Sequence, residues 1–484
     1  EAHGDDNGHI TTGNNVQYVI NGGTVSVIDE DAEGGGNDGR DTIDGGDDAD
    51  IINGGNVNIG VDGGDASGND LADDITGGQG QDVINGGNVN YGQNFGSANG
   101  NDRGDDIDGG GQDDIINGGN VNTAIGDGNS DTAFANGDDR GNTITGDGGN
   151  DLINGGNLNI ATDGGIVTGH DTQGMDDISG GGQGDIINGG NVNIATGDFS
   201  DIEADDGDDS ITGGAGDDRI NGGNVSSAFG DSDVHASDGD DSIDGGNGDN
   251  TINGGNVNTA ISDAHVQGDD GSDTIATGNG NDAVVGGNRN TANNVPINGT
   301  DVDGSDGGDE LTDSGGDDTI YGGNINIVTG GDTADQSNNA GDDITTEGGT
   351  DIVFGGNFNS AFSNGDDIGH DVIEVIDSGG SGTIAGGNNQ VDDSNGDDEG
   401  DDIQVTGDTF DGDLVVGDSI ERDNSADPGG QGDDDLNAGD GDGDDTISEG
   451  NRAEDGSNYD DSVLNCEVGT SDVGDDIEGS CEDN

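Results

Sequence analysis

Read for its apolar positions alone, the chain keeps a slow and regular beat. In the stretch from Asp73, single apolar residues stand at Ile75, Ile84 and Val89, each set among Gly, Asn, Asp and Thr. The next stretch repeats them as Ile107, Ile116 and Val121, and later ones as Ile178, Ile187 and Val192, then Ile211, Ile220 and Val225. Steps of nine and five residues do not match the 3.6-residue period of an amphipathic helix, and the glycine density argues against helix as well. What remains is strands of roughly two to four residues separated by Gly-rich turns.

The frame around the beats repeats too. The doublet Gly54-Gly55 recurs at Gly86-Gly87, Gly118-Gly119, Gly155-Gly156, Gly189-Gly190 and onward to Gly386-Gly387, at intervals of 31 to 37 residues. One short strand cannot bury its side chain, but stacked copies can, each beat lying on its equivalent about 4.8 Å away. The pattern therefore predicts an all-β fold, a parallel β-solenoid of about 12 coils with Ile and Val ladders inside. One repeat is read as one coil with three short sides; two coils of about 17 residues is the alternative. The variable insert, such as "IGVDGGDASGND" after Asn58, is expected to loop out from one edge.

Asn precedes the Gly pair at Asn53, Asn85, Asn117, Asn154, Asn188, Asn221 and Asn253, and follows it at Asn56, Asn88, Asn120, Asn157, Asn191, Asn224 and Asn256. Stacked amides can hydrogen-bond along a solenoid, and the Gly pair is expected to supply positive φ at a corner where a Cβ would clash. Four regions follow from the pattern: an atypical first coil or cap over 1–35, the solenoid over 36–390, degenerate coils over 391–428, and an acidic C-terminal cap over 429–484. That cap holds the only cysteines, Cys466 and Cys481.

Composition sharpens the picture. Hydrophobic residues make up 25% and aromatics 2%, so no thick conventional core is available; Gly fills 108 of 484 positions. Composition alone would read as disorder, but disordered chains do not hold Ile, Asn and Gly-Gly in register. The net charge of −102, from 109 acidic and 7 basic residues, excludes nucleic acid and anionic membranes as partners. No apolar run approaches the roughly 20 residues of a membrane span. Such a surface stays hydrated in concentrated salt, which points to a saline, extracellular setting. The start at Glu1 rather than Met fits a processed or trimmed chain, and a disulfide between Cys466 and Cys481 is favoured over free thiols there. The sequons at Asn224 and Asn298 permit glycosylation.

The acids are placed, not scattered. An Asp stands two residues before the second beat at Asp50, Asp82, Asp114, Asp151, Asp185, Asp218, Asp282, Asp318 and Asp351, with Asn250 as the exception. Nine residues earlier stands another, at Asp41, Asp73, Asp105, Asp176, Asp209, Asp241, Asp273, Asp309 and Asp342, with Asn142 in the remaining copy. Stacking brings equivalent carboxylates about 5 Å apart, where each pair repels by roughly 1 kcal/mol even at water's dielectric. A hard, oxygen-seeking cation such as Ca²⁺ answers that demand, so these residues are candidate metal ligands at several sites. Solvated surface is the competing reading.

The segments "GGQGQDVIN" (Gly77 to Asn85) and "GGAGDDRIN" (Gly213 to Asn221) carry the pattern GGxGxDxUx, with U a large apolar residue. On these segments the repeat resembles the calcium-binding β-roll of the repeats-in-toxin (RTX) family, in an acidic extracellular version of haloarchaeal type. The resemblance implies calcium held between coils by turn carbonyls and Asp carboxylates, here by Gly77, Gly78, Gly80 and Asp82, and by Gly213, Gly214, Gly216 and Asp218. Other copies depart from it: Gln112 and Gln183 occupy the fourth position, and one nonapeptide stands in each repeat rather than an uninterrupted run.

Enzymatic function fits poorly. His3, His9, His170, His235, His265 and His370 are scattered without a repeated partner, and GxGxxG matches arise by chance in so Gly-rich a chain. A structural role is the leading expectation: a calcium-stabilised solenoid at the cell surface, assembling head to tail with copies of itself into a filament or surface layer. The alternative is a calcium-dependent adhesin or a ligand- or ice-binding stalk with cell-surface or glycan contacts.

Overall fold

Each repeat folds as one turn of a parallel β-solenoid, and the turn has four sides. In the turn beginning at Asp74 they are Asp74–Gln79, Val83–Asn85, Val89–Gln93 and Ala98–Asn101. Each side pairs in register with the same side of the next turn: Ile75 with Ile107, Ile84 with Ile116, Val89 with Val121, Ala98 with Ala135. The computed structural model describes residues 2–376 except 6–9, 13–15, 30–32, 62–63, 94–96, 127–133, 163–165, 173, 198–199, 231, 262–264, 294–300, 330–334, 361–365 and 368–370, and short strand segments beyond these as far as 467. Among the described residues eleven turns carry all four sides, from Ile10–Thr12 to Asp366–Asp367, a little fewer than the dozen expected. One coil per repeat is correct, and the two-coil alternative is not.

Two compact units divide the chain, Glu1–Ile243 with Gly255–Gln267, and Asp244–Gly254 with Gly268–Asn484. In the first, the ladders begin at Ala2–Asp5, Ile10–Thr12, Val19–Asn21 and Val25–Asp29, each pairing parallel with the next turn. In the second, Asp402–Thr406 and Asp435–Ala438 extend the first side, and Leu414–Val416 and Asp444–Ser448 the second. The fourth side ends, among the described residues, at Asp366–Asp367. The last strand, Val463–Glu467, lies antiparallel on Asp444–Ser448. It carries Cys466; Cys481 and the expected disulfide lie outside the described residues. No helix among the described residues is long and apolar enough to cross a membrane.

The fourth side corrects the expected three. It lies within the insert that was expected to loop out: Asp65–Asn69 buries Ala66, and its equivalents bury Ala98 and Ala135. The third beat corrects a second expectation. Third-side strands alternate so that their second and fourth residues face inward, which turns Val57, Val89 and Val121 outward. Asn58, Asn90 and Asn122 take the inward places. The Ile columns of the first and second sides, Ile75 and Ile84 with their equivalents, are the apolar half of the interior.

Amides fill much of the rest. The Nδ2 of Asn85 donates to Asn53 Oδ1 (2.7 Å) and that of Asn117 to Asn85 Oδ1 (2.8 Å), so this column donates toward the N-terminal coil. Asn56 and Asn58 belong to columns that donate the other way, to Asn88 Oδ1 and Asn90 Oδ1, both at 2.9 Å. Most buried amides find partners this way, which is what permits a polar interior; Asn58 Oδ1, whose neighbour one coil earlier is Ser26, receives no hydrogen bond. Asn224 is fully buried and its Nδ2 donates to Ser237 O and Asn256 Oδ1, so it has no room for a glycan in the folded chain. Asn298 lies outside the described residues. The Gly pairs such as Gly54-Gly55 do not have positive φ; they are glycine because a Cβ would strike the chain and the Asp side chains packed on them. Positive φ belongs instead to the turn between the first and second sides, as at Gly78 (106°) and Gly214 (107°).

Candidate metal centre

The Asp columns are inside the solenoid. Asp41, Asp50, Asp73, Asp82, Asp105, Asp114, Asp151, Asp176, Asp185, Asp209, Asp218, Asp241, Asp273, Asp282, Asp309, Asp318, Asp342 and Asp351 are all between 0 and 3% exposed. The solvated-surface reading does not describe them. Their placement has a local cause. At the entry to the first and second sides, one oxygen of each carboxylate takes the backbone N–H of its equivalent one coil earlier. Asp73 Oδ1 accepts from Asp41 N and Asp82 Oδ1 from Asp50 N, both at 2.6 Å; Asp105 and Asp114 do the same for Asp73 and Asp82, at 2.6 and 2.7 Å. Asp371 accepts from Asp342 N at 2.8 Å and extends the column past the last copy expected.

The second oxygen is a different matter. The Oδ2 atoms of Asp73, Asp82, Asp105, Asp114, Asp176 and Asp185 are buried and receive no hydrogen bond. Burial, then carboxylate neighbours in the adjacent coils, raises the affinity of these groups for a proton. Asp114 is pushed up to about 7, Asp185 to about 6 and Asp73 to about 8, while Asp105 and Asp176 rise well above the ordinary range. A buried carboxylate with an unmet oxygen is costly unless a proton or cation meets it.

The two columns sit in different settings. The Asp82 column lines the Gly-rich turn: a Cβ on Gly77 would stand 2.7 Å from Asp82 Oδ2 and 2.5 Å from the Gly109 carbonyl oxygen. Gly78 and Gly80, with Gly213, Gly214 and Gly216, shape this turn, and Gly216 (φ 139°) shares with Gln112 (86°) and Gln183 (90°) the left-handed conformation of its fourth position. In the second unit Asp313 replaces the turn's first glycine and joins Asp282 and Asp318; oxygens of the three lie within 4.8 Å of one another. Thr277 Oγ1 donates to Asp313 Oδ1 (2.6 Å) and Gly315 N to Asp313 Oδ2 (2.8 Å). Asp318 is raised to about 8, first by burial. These three are an all-oxygen set of the kind a hard cation takes.

The Asp73 column faces a partner that sequence reasoning missed. Asp70, Asp102, Asp139, Asp171 and Asp206 form a third buried column ahead of it, and in the second unit Asp306 holds the equivalent place, partly buried. Each Oδ1 is typically taken by the next residue, as from Leu71 N to Asp70 and from Arg103 N to Asp102, both at 2.7 Å. Asp70 is raised to about 9 by burial and by the nearby Asp73 and Asp38. The spacing of three residues, five at Asp171 and Asp176, was visible in every copy, but lay within Asp-rich inserts read as loops.

The architecture is a parallel β-solenoid of repeats, compatible with a β-roll repeat protein. No family model, no curated protein and no solved structure matches the chain.

Proposed function

We propose that this chain is a structural, non-catalytic protein, a calcium-stapled solenoid of RTX type working at the cell surface in a saline setting. Copies join head to tail into a filament or layer. The observation that supports it most is the set of buried Oδ2 atoms that no hydrogen bond reaches, repeated coil after coil. An interior built that way calls for cations, and parallel ladders left open at a terminal turn would suit end-on pairing with another copy.

A second reading has its own observation. In the first unit the outward residues of the second side form an exposed apolar column, with Val83 43% and Ile115 49% exposed in line with Ile51, Leu152 and Ile186. On so acidic a surface that stripe favours an adhesin or ligand-binding stalk.

The test is calcium removal with EGTA in high NaCl followed by its return, with circular dichroism and negative-stain microscopy at each stage. We expect β signal to fall on removal, and to come back with polymers on return. A chain equally folded and equally heat-stable in EGTA sinks the staple. Single rods at every concentration sink the filament and favour the stalk.

A further inference from the structure

We propose that the paired carboxylates Asp102 and Asp105, with the carbonyl oxygen of Gly118, form an interior site for a calcium-sized divalent cation, repeated wherever both acids are present. This site is separate from the Gly-rich turn. It rests on the cation-stapled reading above, yet it can fail while that reading stands.

Three observations meet at it. First, both side chains are nearly fully buried, at 4 and 3% exposure, and both keep one oxygen without a donor. Arg103 N holds Asp102 Oδ1 and Asp73 N holds Asp105 Oδ1, so the two Oδ2 atoms are what is left. Second, these atoms lie on the bare backbone of Gly86 and Gly87. A Cβ on Gly86 would collide with Asp105 Oδ2 and the Gly118 carbonyl oxygen, and one on Gly87 with Asp102 Oδ2.

Third, two coils show what this place asks for. Where Asn142 stands in the Asp105 position, its Nδ2 donates to Asp139 Oδ2 at 3.1 Å and to Gly155 O at 2.9 Å. Where Asn339 stands in the Asp102 position, its Nδ2 donates to Asp342 Oδ2 at 3.0 Å and to Gly355 O at 3.1 Å. From either side, one positively polarised nitrogen meets the remaining carboxylate of the pair and the same carbonyl position. In the coil of Asp102 and Asp105 that centre is missing, and the two Oδ2 atoms and the carbonyl face one another as acceptors.

A shared proton answers this in part, since one O–H has one acceptor to meet and leaves one negative charge in each coil, stacked about 4.8 Å from the next. A divalent cation meets both carboxylates and the carbonyl together and cancels both charges. Oxygen-only ligands in a dry cradle suit Ca²⁺ better than Mg²⁺, which keeps several waters.

The experiment counts calcium bound to the full chain by elemental analysis after gel filtration in calcium buffer. Asn142→Asp builds a new two-acid coil, and we expect it to gain bound calcium. Asp105→Asn reproduces the Asn142 arrangement and should lose calcium while keeping the β signal. Asp114→Asn, in the turn column, is the comparison. If Asp114→Asn lowers the count and neither pair variant changes it, the ions sit in the turns; the interior site is then wrong and the stapled solenoid stands. If the chain binds no calcium, both fail. Should the variants misfold, anomalous scattering from crystals of the calcium-loaded native chain decides. A calcium peak between Asp102, Asp105 and Gly118 is expected, and its absence there overturns the proposal.

Discussion

Gln112 and Gln183 hold φ of 86° and 90° in a turn where most other copies place glycine. A side chain in that region costs on the order of 1–2 kcal/mol, and a glycine returns part of this through its larger unfolded-state freedom. Gln183→Gly should therefore stabilise the chain by about 0.5–1 kcal/mol, read as a higher urea midpoint at unchanged slope. A lower midpoint would mean that the Gln183 side chain makes contacts worth more than the strain. The same scale explains why Asp recurs where it does. Only a short acid can place one oxygen on the N–H of the coil behind while the other points into the core. Asn, the natural exception at Asn142 and Asn250, keeps the acceptor and adds a donor, to Gly155 O and to Thr277 O.

At the scale of the element, a side is held by columns, so a single change is felt by its neighbours above and below. Asn88 shows this. Its Oδ1 accepts from Asn56 Nδ2 and its Nδ2 donates to Asn120 Oδ1, both at 2.9 Å, and to Asn101 O at 3.1 Å. Asn88→Ala leaves buried groups on two other coils without partners, and should cost about 3 kcal/mol in chemical denaturation. A loss below about 1 kcal/mol would mean that water enters and replaces the amide. Columns also explain what could be read from the repeat. Ile75 and Ile84 stood out because apolar residues among Gly and Asp have one place to go. Val89 misled, since its neighbour Asn90 pairs along the stack and can be buried in its stead. The fourth side was hidden because Ala66 and Ala98 are small and their strands hold too few residues for an alternation to show. In the second unit the amide column before the Gly pair gives way to Val285, Tyr321 and Phe354. The rings of Tyr321 and Phe354 stack at 5.2 Å, so the same position can be held by apolar contact instead.

For the whole molecule, the buried acids should make stability depend on pH, and calcium, if it takes their oxygens, should weaken that dependence. An acid whose pKa is raised on folding binds its proton more tightly in the folded chain. Its contribution is complete below the unfolded value near 4 and is lost as pH rises through the folded value. For Asp114, Asp73 and Asp70 those values are about 7, about 8 and about 9. The calcium-free chain should accordingly be most heat-stable near pH 4 and lose stability steadily from there to pH 9. On the proposed calcium sites, calcium would compete with those same protons, and its stabilising effect should grow over the same interval. Two series of thermal melts at constant NaCl, one in EGTA and one in calcium, should diverge as pH rises, with the EGTA series falling. Parallel falling curves would mean that protons but not calcium reach the interior carboxylates, and parallel flat curves that neither does. That divergence would also connect the charge of −102 to the fold: acids on the outside keep the chain hydrated, and those inside would make its stability conditional on the cation around it.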